Sequence, residues 1–133
     1  MTAPTPYLHF PGTAREALTF YQGIFGGTLE LYSNADMGRT DGDGDAIGHG
    51  VLDGPVSLYA ADADPNQQPF ASTGLMFALL GAAKADVLRG WFSELSVAGT
   101  IVDDLQVRPW GASDGQVIDR FGLLWLIGYE HKD

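Results

Sequence analysis

Cysteine is absent from this chain, basic residues are few, and no long apolar run occurs. Without thiols there is no disulfide framework, no thiolate zinc site and no cysteine nucleophile. No stretch approaches the length of a membrane span, and the start does not join a basic segment to an apolar one of signal-peptide length. The reading is therefore a soluble, cytoplasmic protein without a membrane partner. Seven Lys and Arg stand against 17 Asp and Glu, a formal charge of -10. That charge repels phosphate backbones and anionic lipid, which argues against a nucleic acid partner. It serves solubility and leaves room for a cationic ligand.

What is present belongs to a globular protein. Hydrophobic residues make up 45% and aromatics 11% of 133 residues, enough for one compact domain that buries roughly two-thirds of its unfolded surface. The domain reads as two half-modules, 5–65 and 70–130.

Tyr7 to Gly27 sets the pattern. Tyr7-Leu8-His9-Phe10 reads as a short strand stopped by Pro11-Gly12. Thr13 stands three residues ahead of Glu16, the spacing of a capping box. Ala14, Ala17, Leu18, Tyr21, Ile24 and Phe25 then share one helical face, and Gly26-Gly27 ends the helix. Thr28 to Tyr32 is again strand-like.

Ser33 to Gly50 is rich in Gly and Asp and reads as a mobile connection. Asp41, Asp43 and Asp45 alternate as in a calcium loop, but Ala46 and Leu52 occupy the positions where such a loop needs glycine and glutamate. Ile47 to Asp53 and Val56 to Ala61 form a hairpin around Gly54-Pro55, and 62–69 reads as a linker.

The second half repeats the order. Leu75 to Leu80 is a strand, and a helix over 86–97 carries Val87, Leu88, Trp91, Phe92 and Leu95 on one face. Ile101 to Val107, Gln116 to Ile118 and Leu123 to Tyr129 complete three more strands. A strand, a helix and three strands occur twice.

Three blocks, PYLHFPGTAREALTFYQGIFGG, HGVLDG with VSLYAADAD, and PWG with DRFGLLWLI, together resemble the PhnB-like branch of the vicinal oxygen chelate superfamily. That superfamily also holds glyoxalase I, bleomycin-resistance proteins and extradiol dioxygenases. The resemblance runs from about Pro6 to Tyr129. It implies an α+β fold of two βαβββ modules forming a curled mixed sheet around a cavity, and a homodimer. It also implies, for metal-dependent members, one His or Glu ligand on each of four strands. Those positions fall near Thr5, near Leu58 or Tyr59, near Leu75 and near Leu126, none of them a good ligand. No metal and no other cofactor is expected; a divalent ion is the alternative.

Chemistry must then come from elsewhere. His9 alternates with the core-facing Leu8 and Phe10 and so turns, with Tyr7, to the opposite face; His49 opens the third strand. Either imidazole suits a general base near neutral pH. The same residues also read as hydrogen-bonded polar groups beside a cavity. Tyr7, His9, His49, Tyr59, Asp62, Phe77, Trp110 and Leu124 are the candidate lining of a small-molecule site. Asp62 would orient a histidine, pair with a ligand cation, or cap a turn. His131 lies in the tail and reads as solvated.

Gly111-Ala112-Ser113-Asp114-Gly115 matches G-x-S-x-G, yet it lacks the strand-turn-helix context of a nucleophile elbow. Nothing resembles a dinucleotide fingerprint, so a methyltransferase reading is not adopted. The function expected is a metal-independent small-molecule-binding protein of the bleomycin-resistance type. The alternative is an enzyme, either a metal lyase or dioxygenase or a metal-free proton-transfer catalyst using His9 or His49.

Overall fold

The computed structural model describes residues 4–40, 42–69, 71 and 74–131. The chain divides into two compact units, Met1–Phe70 and Ala71–Asp133. In the first, β1 (Tyr7–Phe10) leads into α1 (Ala14–Phe25), followed by β2 (Thr28–Ser33), β3 (Ile47–Asp53) and β4 (Leu58–Asp62). In the second, β5 (Phe77–Leu80) leads into α2 (Ala85–Leu95), β6 (Thr100–Arg108), β7 (Ala112–Ile118) and β8 (Leu124–Glu130). Each unit builds its own open four-stranded sheet, ordered β1-β4-β3-β2 and β5-β8-β7-β6. In each, the first strand runs parallel to the last, as a strand-helix crossover demands, and the remaining pairs are antiparallel hairpins. The α+β duplication is thus two separate sheets rather than one continuous sheet.

Alternation fixes which side of the first sheet carries the helix. Leu8 and Phe10 of β1, Leu58 and Ala60 of β4, and Leu52 of β3 are buried together with Ala14, Ala17, Leu18, Tyr21 and Phe25 of α1. Gly50 lets the helix approach: a Cβ there would stand 2.6 Å from Leu18 Cδ1. In the second unit α2 buries Leu88, Trp91, Phe92 and Leu95, beside a sheet side that includes Trp125, Ile127 and Val117.

Several expectations need correction. Thr13 makes no side-chain capping bond; the N–H of Ala14 instead donates to Asp62 Oδ1 at 2.9 Å, because a carboxylate delivered by the end of β4 is a stronger acceptor than a local hydroxyl. Val87, placed on the buried face of α2, is 39% exposed, since the helix turns only its 88, 91, 92 and 95 positions inward. β7 starts at Ala112, four residues before the strand expected from Gln116, so Ser113 and Asp114 of the G-x-S-x-G match lie in the ladder. The connection between β2 and β3 is not featureless. Asn34 N–H donates to Ala46 O and Ala35 N–H to Gly44 O, and Ser33 and Asp36 exchange backbone-to-side-chain bonds at 3.0 Å each. Asp41 lies outside the described residues.

Neither helix is long and apolar enough to cross a membrane.

Candidate functional site

Strand pairing gathers five rings on the side of the first sheet away from α1. Tyr7 and Tyr59 are register partners across β1 and β4, and Tyr32 and His49 across β2 and β3; His9 follows Tyr7 by two residues and so shares its face. Tyr7 lies 5.2 Å from His9, 5.6 Å from His49 and 6.0 Å from Tyr59, centroid to centroid. His49 in turn lies 5.7 Å from Tyr59 and 6.4 Å from Tyr32, stacked at 13° on the latter. These separations are those of interacting aromatic pairs.

A bulge sets the cluster's fourth corner. Tyr32 pairs with His49 but Ser33 pairs with Ile47, leaving Gly48 as the extra residue. The bulge lets Ile47 bury to 1% exposure while His49, two residues on, joins the ring cluster. Ile47 is further fixed by its N–H donating to Asp62 Oδ2 at 2.8 Å.

The Tyr7 hydroxyl and His49 Nδ1 are 2.9 Å apart. Partial burial raises the Tyr7 phenol above its ordinary range, so it keeps its proton and donates whenever His49 carries its own on Nε2. The Tyr32 hydroxyl donates to Glu30 Oε2 at 3.3 Å. The Glu30 charge, then that bond, then burial raise the Tyr32 phenol. Tyr7, Tyr32 and Tyr59 all remain exposed, so the cluster presents ring faces, imidazole nitrogens and one carboxylate to whatever binds there.

The donors present do not fit a divalent metal. No group of three His, Asp or Glu side chains converges among the described residues, and His9 and His49 supply at most two imidazoles.

The other expected site residues are dispersed. Asp62 engages both carboxylate oxygens with backbone donors of α1 and β3, apart from the ring cluster. Phe77 packs its ring against the buried Trp125, 5.3 Å between centroids, so it belongs to the helix side of the second sheet and not to an open wall. Leu124 alternates with Trp125 onto the opposite side of that sheet. Trp110 is 70% exposed in the turn between β6 and β7. His131 is exposed as expected, but not free: its Nε2 lies 2.7 Å from Ser113 Oγ, and its N–H donates to Gly111 O. Tyr32 and Glu30 were missed. The alternation within Thr28–Ser33 put them on one face; what the sequence did not give was the pairing that sets that face beside His49.

The fold and the aromatic face define a two-module βαβββ protein. The chain matches the family model described as Glyoxalase/Bleomycin resistance protein/Dioxygenase superfamily over residues 7–127, and it belongs to that family. Among its relatives is Protein YjdN of Escherichia coli (strain K12), 28% identical over 138 residues and covering 92% of each chain. The crystal structure of protein PA1353 from Pseudomonas aeruginosa superposes with a TM-score of 0.86 at 30% identity, covering 99% of this chain and 100% of that one. A PhnB protein from Bacillus cereus, described as a putative 3-demethylubiquinone-9 3-methyltransferase, shares the fold at a TM-score of 0.72 and 18% identity, over 98% of this chain and 100% of that one.

Proposed function

We propose that the protein is a metal-independent binder of a small planar molecule, aromatic and cationic, seated on the Tyr7, Tyr32, His49 and Tyr59 face of the first sheet. The observation that carries this reading is the ring cluster, drawn from all four strands of one sheet and left exposed. Exposed phenol faces attract cations through their quadrupoles, Glu30 adds a carboxylate on the same face, and the formal charge of -10 raises the local concentration of a cationic ligand.

A thermal-shift series tests it, with methylene blue as a planar aromatic cation and neutral and anionic dyes of equal ring count as controls. A ligand bound only by the folded state stabilises by about 2.7 kcal/mol at a hundredfold excess over Kd, a rise of roughly 8–14 °C for a domain of this size. The rise is expected for the cation and should disappear in Tyr7→Ala and Tyr59→Ala. Equal stabilisation by the anionic dye, or none by the cation, sinks the reading.

A second reading rests on the 2.9 Å contact between the Tyr7 hydroxyl and His49 Nδ1. Such a phenol-imidazole pair moves a proton to or from a bound carbon acid without a metal. Any turnover of that kind should be lost in His49→Ala; turnover unchanged in both His9→Ala and His49→Ala removes the idea.

A further inference from the structure

The second unit carries a separate cavity of 740 Å³, lined among others by Lys84, Trp110, Ser113, Asp114, Tyr129 and Glu130. Its side chains differ in kind from those of the ring cluster. Trp110 is 70% exposed, an unusual state for the largest apolar side chain, which has no core role here to explain it. Ser113 is 3% exposed, and its hydroxyl is held by His131 Nε2 at 2.7 Å. The Tyr129 hydroxyl accepts from Arg89 Nη1 at 3.0 Å, and Asp114 accepts from Arg108 Nε at 2.8 Å, a guanidinium that Asp103 shares at 2.6 Å. The lining therefore joins a flat aromatic wall to two donors, the Lys84 ammonium and the arginine-bound Tyr129 hydroxyl. Glu130 is the carboxylate that opposes them.

We propose that this cavity binds a small aromatic monocarboxylate, its ring against Trp110 and its carboxylate toward Lys84 and the arginine-bound Tyr129 hydroxyl. Glu130 disfavours a second negative charge, so a monoanion is selected over a dianion. The site is independent of the ring cluster of the first unit, which offers phenols and a carboxylate and prefers the opposite charge.

Benzoate is the probe. Trp91 and Trp125 are 7% and 1% exposed, so quenching of the exposed tryptophan emission reports on Trp110, and calorimetry measures the same binding without relying on that signal. Saturable binding of benzoate is expected, with benzyl alcohol, cyclohexanecarboxylate and terephthalate each weaker by about tenfold, the effect of one lost charge or ring contact. Lys84→Met and Trp110→Ala, both at exposed positions, should each weaken benzoate by about tenfold in calorimetry. Absence of saturable binding, or benzoate affinity kept within about twofold in both variants, overturns the assignment. Methylene blue binding to the first unit is read in the same preparations, so failure of either proposal is seen apart from the other.

Discussion

Asp62 links three parts of the first unit through one side chain. Its Oδ1 accepts from Ala14 N–H at the start of α1 and its Oδ2 from Ile47 N–H at the start of β3, while its own backbone closes β4 against Phe10 of β1. Asp62→Ala leaves two backbone donors without this acceptor and should cost about 2 kcal/mol, the upper range of a lost helix cap. Thr13→Ala, at the position where the local motif points, should change stability by less than about 0.5 kcal/mol, because its hydroxyl caps nothing. Urea denaturation of both variants checks this; equal losses would return the cap to Thr13. The contrast marks what was legible at this scale. A capping box is a pattern four residues long and can be seen in the sequence, whereas a competitor 48 residues away cannot. The outward turn of Tyr7 and His9 was legible because alternation alone decides it. His49 reached the same cluster through the unpaired Gly48, which no local pattern announces.

Among the elements, the helices and their buried faces followed from 3.6-residue spacing, and β1, α1 and β3 lie where turn residues bound them. The second sheet was harder to read, for a physical reason seen at Gly115. β6 slips register against β7 between Ile101 and Asp103 and again between Asp103 and Gln106, and the slip brings its backbone over Gly115. A Cβ on Gly115 would stand 2.7 Å from Leu105 Cα and N and 2.9 Å from Asp103 O. Gly115, the last residue of the G-x-S-x-G match, is the place where one strand lies close upon another. Gly115→Ala should therefore destabilise by about 1–3 kcal/mol through overpacking against backbone that has no rotamer to yield. Gly23, inside α1 with open space around its Cβ position, predicts the reverse: Gly23→Ala should stabilise by up to about 1 kcal/mol, the helix propensity difference. Chemical denaturation of the pair reads both signs, and a neutral Gly115→Ala would mean that the slipped register does not hold in solution.

At the scale of the whole molecule, the same order of elements and the same strand order appear in both units, yet the two copies have diverged in the chemistry they carry. Residues paired to equivalent strands show how. Ala60 pairs with Leu8 and Gly50 in the first unit, and Ile127 with Leu79 and Gly115 in the second. Two residues further along each last strand stand Asp62 and Tyr129. One is a carboxylate that ties the helix start to the sheet; the other is a phenol bound to Arg89. The duplication was legible because periodicity repeats even where side chains do not, and the divergence was not, because it depends on register. A divalent metal needs several convergent donors, whereas the described residues bring no three His, Asp or Glu side chains to one point. Dialysis against a chelator, and then addition of zinc, nickel, iron(II) or manganese, should each leave Tm within about 1 °C, since a site filled at a thousandfold excess over Kd would add about 4.1 kcal/mol and move Tm by roughly 12–20 °C. A rise of that size on adding any one ion, lost again on chelation, would mean that donors beyond His9 and His49 assemble around it, and the first sheet would then have to be read as a metal centre.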